Sequence, residues 1–221
     1  ALESYKVFSK LKADGEIPNS IRFMLALPTP FGFVAAACYP ETQLEFEPIY
    51  KSALMAEFDR VCSQVPHEQL AVQWDIPVEV MAIEGETATA FPSDDVFDEI
   101  ISRVVEAGNS IPSAAELGFH FCYGDYMHEP FKEPEDLGVV VRIANAVMDR
   151  LDRRTDFIHV PVPGMSNSPS FYEPLQGLNL GETELYIGLI HPDGGLAGAQ
   201  DRIAAARQAL PKDMKFGVGT Q

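Results

Sequence analysis

Six short apolar runs are the strongest constraint on what this chain can fold into, because five of them lead into a segment with helical spacing. The runs fall at residues 22–27, 70–74, 117–122, 157–162, 185–190 and 216–218. Each is apolar nearly throughout, the pattern of strands buried in a parallel sheet. The segments between them carry apolar residues three and four apart. Residues 45–65 place Ile49, Leu54, Met55, Phe58 and Val61 on one side, and residues 135–151 do the same with Leu137, Val140, Val141, Ala144, Val147 and Met148. Further helices are expected at 94–107 (capped by Asp94 and ended by Gly108-Asn109), 170–178 and 198–210, with another at 2–13 before the first run. Strand followed by helix, repeated, is an α/β protein with a parallel sheet.

Residues suited to chemistry cluster just after the strands: Thr29, Asp75, Asp125, Gly164, His191 and Asp193. Barrels and doubly wound sheets both build their active sites at that end. The chain has no GxGxxG and no GxxxxGK[ST] segment, which argues against dinucleotide and nucleoside triphosphate binding.

Composition removes other classes. A net charge of −17 opposes nucleic acid and anionic membrane surfaces, both of which need a basic face. No apolar run approaches the roughly 20 residues that span a bilayer. The three cysteines, Cys38, Cys62 and Cys122, are odd in number, widely spaced and without a CxxC pair. That usage fits a reducing compartment, so the cytoplasm is expected. Cys38 and Cys62 read as small core residues.

The segment Gly118-Phe119-His120-Phe121-Cys122-Tyr123-Gly124-Asp125 carries the sharpest chemical signal. Residues two apart in a strand share a face, so His120 and Cys122 project together just before the turn at Gly124. Such a pair supplies two ligands to a metal, or a thiol beside a base.

Four segments together resemble the C-terminal catalytic barrel of cobalamin-independent methionine synthase and its shorter relatives, in the superfamily that also holds uroporphyrinogen decarboxylase. They are Leu27-Pro28-Thr29-Pro30, Gln73-Trp74-Asp75, the His120 to Asp125 run, and His191-Pro192-Asp193-Gly194-Gly195-Leu196. The resemblance implies a TIM-type (β/α)8 barrel. With about six strands, a helix at the start and a strand at the end, the single domain 1–221 is expected to lack its first strands and last helix. Open edges near Phe23 and Phe216 would then be completed by another segment or a second chain. A complete six-stranded open sheet is the alternative.

In that family zinc activates a thiol for methyl transfer, held by a His-x-Cys pair, a Glu and a later Cys. His120 and Cys122 match the first two ligands. The later Cys position resembles Gly194, and the Glu position lies near Pro161. The expected protein is therefore an altered relative acting on a small polar molecule, by methyl or alkyl transfer involving a thiol, and not a methionine synthase. A folate-type methyl donor is not supported. His159 and His191 are the candidates to join His120 and Cys122 around zinc.

A metal-free reading uses His120, His159, His191 and Asp75 as acid–base groups in a decarboxylase or lyase. A third reading is a barrel that binds a ligand without chemistry. Asp75, Trp74, Asp125 and Asp193 are candidate substrate contacts; Trp74 packs in the core or lines the pocket. Glu79 and Glu84 read as solvated loop residues, as do His67 and His128. The proline-rich segment 161–169 reads as a lid or a plain connector.

Overall fold

The computed structural model describes residues 1–91, 95–124, 131–163, 166–192 and 194–220. Asp94, Asp125, His128, Gly164 and Asp193 lie outside the described residues. In chain order the elements are α1 (Leu2–Ala13), β1 (Phe23–Pro28), α2 (Pro30–Ala37), α3 (Pro40–Cys62), β2 (Leu70–Asp75), α4 (Pro77–Ile83) and α5 (Val96–Asn109). Then follow β3 (Glu116–His120), α6 (Gly138–Arg150), β4 (Phe157–Val160), α7 (Pro169–Tyr172), β5 (Glu184–Ile190), α8 (Gly195–Ala209) and β6 (Gly217–Thr220). All six expected strands are present, and all run parallel in the order β1-β2-β3-β4-β5-β6.

That order explains how the sheet is covered. Each crossover steps to the next strand in the same direction, and right-handed crossovers then place every connecting helix on one side. A doubly wound sheet must reverse its order to cover both faces; this one does not reverse. The helix-facing residues Leu70, Val72, Trp74, Leu117, Phe119, Ile158, Val160, Leu185 and Ile187 are buried in one continuous core. The other face carries Met24, Gln73, His120, His159 and Tyr186, half-buried or exposed. The strands are thus buried on one face, not both as their apolar composition suggests. Ala, Met and Gly fill enough of the open-face positions to hide the alternation in the sequence.

Several helical features differ from expectation, among them α4, which was not expected, and the segment 170–178, which is α-helical only to Tyr172. Residues 30–37 form α2, and α3 begins at Pro40 rather than near residue 45. Both helices, like α4, have proline in their first turn, where its missing N–H costs nothing and its fixed φ suits the helix. Ile49 is 59% exposed, so it lies outside the buried side of α3, where Phe58 and Val61 pack. Cys38, Cys62 and Cys122 are half-buried, and none of them is in a disulfide. No described helix is long and apolar enough to cross a membrane.

Candidate functional site

The register across the open face places one residue from each strand in a single row: Pro28, Asp75, His120, His159, Tyr186 and Gly217. Two histidines on adjacent parallel strands at the same level are forced into contact. The ring Nδ1 atoms of His120 and His159 are 2.8 Å apart, and the rings stack at 4.8 Å with 20° between their planes. The backbone continues this alignment past the strand ends. Ile76 N–H donates to the His120 carbonyl and Phe121 N–H to the His159 carbonyl, both at 3.0 Å.

Burial sets the electrostatics of the pair. Desolvation pushes the His120 imidazole down to about 4. The same cause, reinforced by His120 and eased by Asp75, brings His159 to about 4. Both rings are neutral at pH 7, and a 2.8 Å contact between neutral imidazoles needs one Nδ1–H donor and one Nδ1 acceptor. Asp75 sits beside them in the row. Burial raises its pKa, against the opposing effects of a 2.9 Å hydrogen bond from Gln73 Nε2 and of His159. The Nε2 atom of His159 is buried with no hydrogen-bond partner. Gly219 leaves it that space, since a Cβ there would stand 2.6 Å from Nε2.

The pair borders a cavity of about 850 Å³ on the open face, lined also by Gln73, Glu116, Phe157, Tyr186 and Thr220. Its ionic groups are largely matched within the wall: Arg22 pairs with Glu116 at 2.8 Å and Arg154 with Glu182 at 3.0 Å.

The remaining candidates fall in different places. Burial alternates beyond β3 through Gly124, with Phe121 and Tyr123 buried and Cys122 half-buried like His120. Cys122 therefore shares the face of His120. His191 follows β5, five residues past Tyr186, which is the register partner of His159. At the usual rise this is roughly 16 Å farther along the strand. Trp74 does not line the cavity. It points into the helix layer, fully buried, and its indole N–H donates to the Ala107 carbonyl at 3.1 Å. Asp125 and Asp193, the other two candidate substrate contacts, are outside the described residues.

No protein-family model, curated protein or solved structure matches the chain.

Two observations and one further position bear on metal binding. Among the described residues no group of three or more His, Cys, Asp and Glu side chains is arranged to hold a metal ion. The His120–His159 pair alone offers two nitrogens, fewer than the three or four protein ligands zinc takes. Gly194 has φ 75 at the start of α8, and a Cβ there would stand 3.1 Å from the Cα of Gly198. Glycine is demanded by the backbone at this position, and a cysteine would be strained.

Sequence reasoning missed one chemically loaded residue. Glu79 was expected in a solvated loop; it lies on α4 and is 0% exposed. Glu84 is half-buried and ion-paired to Lys132 at 2.7 Å. The prolines Pro30 and Pro77, two residues after Pro28 and Asp75 at the strand ends, were the signal that helices start there.

Proposed function

We propose that this chain forms the catalytic sheet of a (β/α)8-type barrel enzyme. It uses the His120–His159 pair to move a proton to and from a small polar substrate, in the class of decarboxylases and lyases. The carrying observation is the 2.8 Å contact between the two Nδ1 atoms at the cavity wall. One neutral ring donates through Nδ1–H and so keeps a bare Nε2, a base. The other accepts at Nδ1 and so carries its proton on Nε2, an acid. Because His159 Nε2 is enclosed, His120 is the ring that meets substrate: a proton taken up at its Nε2 drives the Nδ1 proton onto His159, and the reverse transfer returns the proton to the substrate. Neither ring holds a net charge for long, in keeping with the depressed basicity of both. Asp75, next in the row, favours the transient imidazolium of His159. The sequential strand order supports the barrel reading, because a curved sheet with helices on one side is the arrangement a barrel closes from.

A second reading keeps the thiol chemistry. His120 and Cys122 sharing one face favours it, with His159 as a neighbour; it requires ligands beyond those three. One experiment separates the two. The protein, stripped of metal by chelation, is incubated in deuterium oxide with a panel of small keto, hydroxy and amino acids, and proton exchange is followed by NMR. The acid–base reading expects exchange without metal, reduced about 10²-fold or more in His120→Gln and His159→Gln. Exchange that returns only with added zinc supports the second reading. No exchange across the panel, or undiminished exchange in the variants, overturns the first.

A further inference from the structure

The carboxyl of Glu79 is enclosed between α4 and the first turn of α2. Its Oε1 accepts the hydroxyl proton of Thr29, the N-cap of α2, and Thr29 Oγ1 accepts from Gly32 N–H at 2.9 Å. A Cβ on Gly32 would lie 3.1 Å from both carboxyl oxygens, so the group is pressed flat against that turn. Oε2 is buried with no hydrogen-bond partner. Thr29 is the main donor to this carboxyl, and the backbone N–H groups of Glu79 and Gly32 add a smaller favourable effect, so a negative charge there is only partly stabilised.

Among the described residues, the charged groups around it do not supply a counter-ion. Helix α2 carries no charged residue. On α3, Glu47 repels the carboxylate, and Lys51 is ion-paired to Glu106 of α5. On α5, Arg103 is engaged by Glu47 at 2.9 Å and by Glu99 at 2.7 Å. On α4 itself, Glu84 is paired to Lys132. Burial outweighs the Thr29 bond and the smaller effects of the Glu79 and Gly32 backbone N–H groups, and pushes the Glu79 pKa up to about 7. On the far side of Thr29 lies an enclosed cavity of about 90 Å³, lined also by Glu47, Lys51, Arg103, Glu106 and Ser110. Its wall is mostly apolar but carries these charged groups, and it is large enough to admit water.

We propose that Glu79 is a proton-operated latch between α4 and α2: protonated it holds the two helices together, and ionised it draws water past Thr29 and loosens α4. The helix it releases is short, seven residues from Pro77 to Ile83. It follows Asp75 after a single residue, while Thr29 directly follows β1. The latch therefore acts on the two turns at the carboxyl ends of β1 and β2. It stands independently of the reaction proposed above.

The test uses the full chain labelled with carbon-13 at the glutamate side-chain carboxyls, titrated by NMR, with amide hydrogen exchange measured between pH 6 and pH 8. One glutamate is expected to titrate near neutrality, and that signal is absent in Glu79→Gln. Exchange in residues 28–35 and 76–83, corrected for the intrinsic pH dependence, is expected to rise several-fold with the same midpoint. In Glu79→Gln, which mimics the protonated form, it does not rise. Absence of any near-neutral glutamate overturns the proposal, as does an equal rise in the variant. Should the variant fail to fold, the wild-type midpoints decide: a mismatch between carboxyl titration and exchange overturns it.

Discussion

His120 and His159 face each other across the β3–β4 boundary with their Nδ1 atoms 2.8 Å apart, and this one contact fixes the two rings in opposite tautomers. Nitrogen-15 NMR reads the arrangement directly. At pH 7 one ring is expected to show its proton on Nδ1 and the other on Nε2. Both are expected to stay neutral well below the range of an ordinary histidine, with midpoints near 4. Two rings titrating near 6.5 would contradict the contact.

Gly219 holds the space behind that pair. A methyl group there would stand 2.6 Å from His159 Nε2, too close to be tolerated without movement. Gly219→Ala is therefore expected to separate the Nδ1 atoms and shift the His120 and His159 nitrogen signals, with a stability cost of about 1–3 kcal/mol. Unchanged imidazole spectra in a folded variant would show that β6 yields instead.

The histidines give stability a pH dependence with a definite sign. Their folded pKa values, about 4, lie below the ordinary histidine value of 6.5. The unfolded chain therefore binds more protons between these limits, and stability falls as pH falls from 6.5 towards 4. Glu79 acts oppositely: its folded value of about 7 lies above 4.5, so its contribution is full below 4.5 and lost as pH rises through 7. Urea denaturation across pH 4–8 is expected to show a shallower acid-side decline in the double variant His120→Gln, His159→Gln. A decline as steep as wild type would remove the histidines from the explanation.

Thr29 performs two tasks with one hydroxyl: it accepts from Gly32 N–H to cap α2 and donates to Glu79. Thr29→Val removes both, at a cost of about 2–3 kcal/mol, more than the ~1 kcal/mol typical of a lost cap alone. Thr29→Ser is expected to keep most of the stability. Thermal or urea denaturation of the two variants distinguishes the hydroxyl from the methyl group.

Trp74, the single tryptophan, is a reporter of the helix layer. It is fully buried on the side away from the cavity, so its emission is expected to be blue-shifted in the native state, to redden on unfolding and to ignore ligands added to the cavity. Trp74→Phe breaks the indole bond to the Ala107 carbonyl. The loss for that bond is expected at the low end, about 1 kcal/mol, because Ser110 Oγ still donates to the same oxygen at 2.6 Å.

The sequence was legible where one residue's surroundings are set by its near neighbours. The strands around Val72, Phe119, Ile158 and Ile187 announce themselves by apolar content, and α5 and α6 by spacing. The helix starts at Pro30, Pro40 and Pro77 are not announced by apolar spacing; a residue that breaks a helix from within begins one without cost. Trp74 and Asp75 are adjacent in the chain but face opposite sides of the sheet, and only the position of the helix layer decides which one shares the open face with the histidines. The His120–His159 contact depends on the register between two strands, and the spacing of 39 residues does not encode it. Glu79 reads as solvated because its burial is created by α2, a helix that apolar spacing does not announce.

Every strand of this sheet pairs only with the strand next to it in sequence, so the tertiary pairing is built from near-neighbour steps, with no strand threaded between two others formed long before. Chains organised this way have modest contact order and meet a small loop-closure cost at each addition. Assembly can proceed by accretion, one strand and its helix at a time. An injury to β1 or β6 should then fray an end of the sheet, whereas an injury at β3 or β4 cuts it into two pieces, and that seam is where the two histidines meet.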